Sequence, residues 1–488
     1  MPTFLSIDLG AGSGRVIAGS LVSGKIGLQE IHRFDNPGTD LPGGSFWDIL
    51  GLFREIQEGL RLAASRFDDI VAIGIDTWGC DHGLLDAHGR LLGLPHQYRD
   101  PRHEGMPEKM HALMPEPELY RHTGITTNFY NSAVHLFAEK QLDSPALKNA
   151  DRLLFIPDLI AYWLSGKMAV ERTIASTSQL LDPATGEWSW KVIDAFGLPR
   201  RIFGKIVAPG TVLGPLREEV RRATGLGGVP VVASASHDTA AAVAGIPMEG
   251  GDQLWLSSGT WSIMGLETRQ PIRSDAAFAA RCCNELGVDG SVRFLKNIAG
   301  LWLIQECRRQ WALEGADLGY AELVALADAA EPFRAFIDPD DPVFSAPGDM
   351  PGRIRDFCRR TSQCVPQSKG EVLRVATESL ALKYRVVLDS FRQLSGKDFP
   401  RLHAGGGGIQ NAALTQATAD ACGIEVLAGP VEATSCGNLI VQMIATGHLP
   451  DLAAGRRLIR GSFDFQTYQP RQSGDWEKAL GRFRGILA

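Results

Sequence analysis

The sequence predicts an α/β protein of two lobes, and three observations carry that expectation. Near the start, in SIDLGAGSGRVIAGSL, an apolar strand ends in Asp8 and enters a turn with glycines at 10, 12 and 14. Over 253–267 the chain reads QLWLSSGTWSIMGLE: strand, small polar turn Ser257-Ser258-Gly259-Thr260, strand again. Between and beyond them lie strand–loop–helix stretches of α/β type. Two similar hairpins half a chain apart suggest duplication. The lobe change is expected near Gly250-Gly251, giving a division into 1–249 and 250–488.

The first glycine turn fits neither common nucleotide motif. A dinucleotide fingerprint opens a helix, and a phosphate loop carries Lys before Ser or Thr. Here Gly14 is followed by Arg15 and then by Val16-Ile17-Ala18-Gly19-Ser20-Leu21-Val22, which favours a strand. The turn therefore joins antiparallel strands. Its backbone N–H groups could grip a phosphate, as could those of the second hairpin.

The remaining elements follow in order. IVAIGIDTWGCDHGLLD (70–86) reads as strand, loop, strand, and PDLIAYWLSG as helix. VPVVASASHDTAAAVAGIP (229–247) reads as buried strand, tight loop and small-residue helix. NIAGLWLIQECRRQW is expected to be an amphipathic helix with Ile298, Leu301, Leu303 and Ile304 near one side. LRVATESLALKYRVVLDSFRQL reads as a long helix. RLHAGGGGIQNAALTQATADACG reads as strand, glycine run and helix, the last starting near Gln410 or Asn411.

Composition narrows the function. The 488 residues are 44% hydrophobic and 22% charged, with a formal charge of -7, so nothing suggests nucleic acid or an anionic membrane as partner. The basic tract RRLIRGSF near 456 reads as a solvated face. Eight scattered cysteines lack zinc spacing, and free thiols are expected. The start of the chain lacks a signal-peptide pattern, and no apolar run reaches membrane-span length. A soluble, cytoplasmic protein is expected, as monomer or homodimer.

Several residues could carry chemistry. Asp238, between an apolar strand and a helix, is either a helix N-cap or a catalytic carboxylate at the place where α/β folds hold ligands. His237 and Thr239 add polar groups beside it. Asp8 is either a turn-former or a ligand for Mg²⁺. The run Gly405–Gly408 is either a flexible connection or bare backbone against a nucleotide. Asp76, Trp78 and Gly79 offer a carboxylate, an aromatic plate and exposed backbone to a polyol. No nucleophile elbow is present.

The ordered set IDLGAGSGRV, GIDTWGCD, LPHQYRD, ASHDTAAAV, LSSGTWSIMG, LKNIAGLWLIQE and GGGIQN resembles the FGGY carbohydrate kinases of the actin/hexokinase superfamily, the rhamnulokinase branch in particular, over about residues 4–450. The resemblance implies two ribonuclease-H-like lobes around a central cleft, sugar in the first and nucleotide mainly in the second. It implies Asp238 as general base. Ala11, Gly12, Ser13, Gly14, Arg15 and Thr260 would hold ATP phosphates, with Gln305 and Gly407 at the nucleotide. Gly79, His237, Thr239 and Asn297 would contact the ketose. The expected reaction is ATP- and Mg²⁺-dependent phosphorylation of a ketose at its 1-hydroxyl, L-rhamnulose first. The alternative is L-fuculose or another deoxyketose or pentulose; a non-catalytic actin-like sugar sensor is disfavoured. His82-Gly83 and the segment Asn128–Phe137 depart from the family pattern near the sugar.

Overall fold

Strand β1 (Thr3–Leu9) is buried at all seven positions, and it organises the first sheet of the computed structural model, which describes residues 1–250, 253–471 and 474–487. It pairs antiparallel with β2 (Ser13–Val22), which pairs antiparallel with β3 (Lys25–Asp35). On its other side β1 runs parallel to β4 (Ile70–Thr77). With β5 (Thr211–Pro215) and β6 (Pro230–Ala233) the sheet order is β5-β6-β4-β1-β2-β3. The first glycine turn is thus a hairpin, as the β-forming residues after Gly14 predict. Gly14 is required by packing: a Cβ there would lie 2.3 Å from the Phe34 ring.

Helices cover this sheet through apolar stripes. In Ile49–Ala64 the buried residues are Ile49, Leu52, Ile56, Gly59, Leu60 and Ala63, a spacing that keeps one face inward, and Asp48 caps its start through Gly51 N–H at 2.9 Å. The Asp238 helix (Asp238–Gly245) meets the Asn438 helix (Ala433–Ala445) backbone to backbone. A Cβ on Gly437 would stand 1.8 Å from the Ala241 carbonyl oxygen, and one on Gly245 would stand 2.0 Å from that of Ala433.

The compact unit containing this sheet comprises Met1–Gly251, Glu267–Phe294 and Ala433–Phe463; the other comprises Asp252–Leu266, Leu295–Glu432 and Asp464–Ala488. Of the expected lobe change at Gly250-Gly251, Gly251 lies outside the described residues. The basic tract near 456 is not wholly a solvated face. Arg456 is buried, and its Nη2 donates to Glu267 at 2.9 Å and to the Val243 carbonyl at 3.1 Å. The helix Leu452–Ser462 turns it inward while Arg457 and Arg460, which follow it, stay exposed.

The second unit repeats the strand logic. Strand β7 (Leu254–Ser258) pairs antiparallel with β8 (Trp261–Thr268) and parallel with β10 (Arg401–Gly405). With the edge strand Cys283–Leu286, β9 (Val292–Ala299), β11 (Glu425–Ala428) and β12 (Gln466–Tyr468), the order runs from Cys283–Leu286 through β9-β8-β7-β10-β11-β12. The long helix is Lys369–Ser395, opened by a Ser368/Glu371 capping box, and its Tyr384 hydroxyl meets Ser262 at 2.6 Å.

One helix starts later than its apolar periodicity predicts. Ile298 lies in β9, and the helix spans Trp302–Leu313. Gly300 explains the break. A Cβ there would lie 2.6 Å from Ser262 N and 2.7 Å from the Gly259 carbonyl oxygen, so the chain turns where only glycine fits. Among the described residues no helix is long and apolar enough to cross a membrane.

Candidate functional site

Three parallel strands of the first unit end side by side, and their last residues bring the predicted carboxylates together. Asp8 and Asp76 are register partners on β1 and β4, while Thr77 bridges to His237 just beyond β6. Asp238 follows as the first residue of its helix, whose N-cap is His237. This is the carboxyl edge of the sheet, where open α/β sheets hold ligands.

The three carboxylates differ in surroundings. Arg15, opposite Asp8 across the hairpin, holds it at 2.6 Å, and Ser435 Oγ stands 3.5 Å away. Asp76 is wholly buried. One oxygen accepts from Asn438 Nδ2 at 2.5 Å and the other has no hydrogen-bond partner among the described residues. Burial, then the Asp8 charge, pushes its carboxyl well above the usual range, with Asp238 adding to the effect. Asp238 keeps a third of its side chain open. Its Oδ1 accepts from Thr239 N at 2.5 Å and Thr239 Oγ1 at 3.1 Å. Burial raises its pKa, His237 opposes the shift, and Asp8 adds to it. A carboxylate with a raised pKa and an open face can take a proton from an alcohol.

The glycine turn beside Asp8 is braced by a residue the motifs do not reveal. Buried Asn36, just past β3, donates from Nδ2 to the Gly10 carbonyl at 2.8 Å and from N to the Gly12 carbonyl at 3.2 Å. Ala11 and Gly12 stay exposed, while Ser13 and Arg15 are half-buried and Gly14 is buried. The backbone of the turn is therefore open to solvent.

Trp78 and Asp76 face inward. Trp78 and Trp47 meet at 4.3 Å between ring centroids, tilted by 42°, and donate to the same Asp81 oxygen, at 2.9 and 2.7 Å. Burial pushes Asp81 up to about 7 against those donors. Gly79 is half-buried, and a Cβ there would come within 3.3 Å of His237 Nε2. His82 is buried on the strand His82–Leu85, its ring 6.2 Å from that of His135, which in turn stacks on His103 at 3.9 Å. Asn131 is tied to the Thr177 carbonyl at 3.2 Å and to Asn128 N at 2.7 Å.

In the second unit another group converges. Parallel pairing of Ser257 with Gly405 sets the second hairpin beside the glycine run. Gly408 packs on Ser258, where a Cβ would meet Oγ at 2.2 Å, and Gly406, with φ of 92°, would bring one to 2.7 Å from the Ser258 carbonyl oxygen. Gly407 is exposed with nothing near its Cβ position. So two of these glycines serve close packing and one faces open space. Exposed Thr260 accepts from Trp302 N at 3.0 Å through its carbonyl, joining the hairpin to the helix that bears half-buried Gln305. Asn297 lies on β9, half-buried, in this same unit.

A model of the FGGY family of carbohydrate kinases, N-terminal domain, matches residues 3–245, and its C-terminal counterpart matches 254–446. The chain belongs to the FGGY family of carbohydrate kinases. As an FGGY kinase it is 45% identical over 484 residues to a rhamnulokinase of Bacteroides thetaiotaomicron, covering 99% of each chain. It is 41% identical over 470 residues to a rhamnulokinase of Enterococcus faecalis, covering 96% of this chain and 94% of the other. The fold matches a xylulose kinase from Lactobacillus acidophilus with a TM-score of 0.84 at 16% identity, over 100% of this chain and 98% of that one.

Magnesium chemistry suits the FGGY kinase's first site. Among the described residues no cluster of His, Cys, Asp or Glu could hold a metal unaided. Magnesium, however, commonly takes one or two carboxylates, waters and substrate phosphates. Asp8, Asp76 and Asp238 gather carboxyl groups at this edge; the Asp8 charge raises the carboxyls of Asp76 and Asp238, and Arg15 opposes the shift at Asp76. Carboxylate oxygens are the donors such a cation takes.

Proposed function

We propose that the chain transfers the γ-phosphoryl group of ATP to the 1-hydroxyl of a ketose, L-rhamnulose, with Asp238 as general base. The similarity to rhamnulokinases along nearly the whole chain supports the ketose, and the partly open carboxylate at 238 carries the chemistry. L-Fuculose and other ketoses are disfavoured by that similarity. The division of labour is part of the proposal: residues 1–249 for sugar and base, 250–488 for nucleotide, with 267–294 and 433–463 packed into the first unit.

A sugar alcohol is a weak nucleophile. Asp238 accepts its proton as the oxygen bonds to phosphorus, the bond from that phosphorus to the bridging oxygen breaks, and ADP leaves. Only the ionised carboxylate can do this. Because folding raises the Asp238 pKa, activity falls as pH drops through a value above that of an ordinary aspartate. His237, Thr239, Gly79 and Asn297 serve the sugar, and Asp76 and Trp78 shape the floor beneath it. The exposed turn Ala11-Gly12-Ser13-Gly14-Arg15 and Thr260 serve the phosphates, with Gln305 and Gly407 at the nucleoside. Asp8 would hold Mg²⁺, which when bound offsets phosphate charge.

Coupled ADP release over a panel of ketoses, with ³¹P and ¹³C spectra locating the ester, tests the reading. L-Rhamnulose should give the highest kcat/KM and a 1-phosphate. A clear preference for L-fuculose would overturn the named sugar, and an ester at another carbon would overturn the acceptor hydroxyl.

A further inference from the structure

A fully buried arginine stands behind the proposed base. Arg293, on β9, has no exposed side-chain surface and pairs through Nη2 with Glu285 Oε2 at 3.0 Å. Its Nε donates to the Leu286 carbonyl at 3.1 Å. Glu285, on the strand Cys283–Leu286, is a tenth exposed. Burial alone would raise the Glu285 carboxyl, but Arg293 and His237 outweigh it and hold it below its usual value. Taking two charges from water costs several kcal/mol per ion after relaxation, and an apolar pair of similar volume would often serve stability as well. The pair is therefore weakly explained by folding alone.

Its position suggests a second role. Both members converge on one ring nitrogen: His237 Nδ1 lies 3.1 Å from Arg293 Nη2 and 3.3 Å from Glu285 Oε2. The opposite nitrogen, Nε2, lies 3.4 Å from Asp238 Oδ1. The backbone N–H of His237 is also fixed, donating to Thr173 Oγ1 at 3.2 Å. Thr173 is held in turn by Glu171, which also accepts from Ser236 N.

Arg293 Nη2 donates to Nδ1, which is therefore bare, while Glu285 Oε2 stands beside both as a countercharge with no hydrogen bond of its own among the described residues. A neutral ring with a bare Nδ1 carries its proton on Nε2, on the side of Asp238. Resting on the reading of Asp238 as the base, we propose that Glu285 and Arg293 are positioning residues that clamp His237 Nδ1 so that Nε2–H is aimed at Asp238 Oδ1. Neither touches the reacting atoms. Gly79 belongs to the same device, since any side chain there would crowd Nε2.

The test compares Glu285→Gln with Asp238→Asn in the full-length enzyme, using L-rhamnulose and MgATP. Glu285→Gln should lower kcat about 10- to 100-fold, the scale on which outer carboxylates act through a functional histidine, with KM for ATP unchanged. In ¹⁵N-histidine-labelled protein, with the His237 signal assigned by its loss in His237→Asn, Nε2 should carry a proton in the wild type. The ring-nitrogen shifts should move in Glu285→Gln. Should Glu285→Gln not fold, Glu285→Asp and Arg293→Lys, which keep both charges, replace it with the same expectation. A folded variant with wild-type kcat and unmoved His237 nitrogens would overturn the clamp, as would a bare Nε2 in the wild type. If Asp238→Asn stays active, the reading of the base fails instead, while the His237 spectra still judge the clamp.

Discussion

Asp8 and Asp76 are side-by-side partners on adjacent parallel strands, yet only Asp8 is joined to an arginine, Arg15 at 2.6 Å. Asp76 is sealed against Asn438. In the proposed reading Asp8, rather than the sealed Asp76, would meet the phosphate-bound cation. Asp8→Asn should lower kcat by about 100-fold, the size of a lost contact of roughly 2.7 kcal/mol. It should also raise the Mg²⁺ concentration giving half-maximal rate, as a magnesium titration at saturating ATP would reveal. An unchanged magnesium dependence would remove Asp8 from that role.

Asn36 ties down the open glycine turn through two hydrogen bonds, one of them from its side chain. Asn36→Ala removes the side-chain bond and frees the Gly10 carbonyl. A net loss of about 1 kcal/mol corresponds to roughly a fivefold rise in KM for ATP, with KM for the ketose little changed. Steady-state kinetics varying each substrate in turn would separate the two.

Asp158 offers a pH test of stability. It is buried at the start of the helix Ile156–Ser165. Burial, then the Glu171 charge, raises its carboxyl well above the usual range. The folded state therefore holds a proton that the unfolded chain has released above about pH 4, so stability falls as pH rises through that window. Asp158→Asn keeps an oxygen able to accept from Glu171 N and escapes the penalty. Its Tm should exceed the wild-type value by about 2–4 °C at pH 7.5, with the gap closing near pH 4. Calorimetry at both pH values would check this.

The crossing of the Asp238 and Asn438 helices depends on absent side chains. Gly437→Ala would drive a methyl group into the Ala241 carbonyl. Overpacking of this kind costs about 1–3 kcal/mol, more where backbone is the obstacle. The displaced helix also carries Asp238, so the urea midpoint and kcat should fall together. A stable variant with normal kcat would show that the crossing has slack.

Much of this was readable in the chain because it depends on local rules. The β-formers after Gly14 mark a hairpin, and the strand-to-helix step around SHDT marks the sheet edge. Long-range partners carry no such signal. Asn36 braces the turn from beyond the next strand, Asn438 reaches Asp76 from 362 positions away, and Glu285 and Arg293 reach His237 from other strands. Apolar periodicity also misplaced Ile298, because an apolar residue at a strand end looks the same as one on a helix face. Arg456 looked solvated for a similar reason: its partner Glu267 is 189 positions away.

Turnover of Asp238→Asn with L-rhamnulose and MgATP, beside its melting curve and its affinity for the sugar, tests the central claim most directly. A loss of about 10²- to 10⁴-fold in kcat, with folding and sugar binding retained, is the expected result. Turnover within a few-fold of wild type would contradict it.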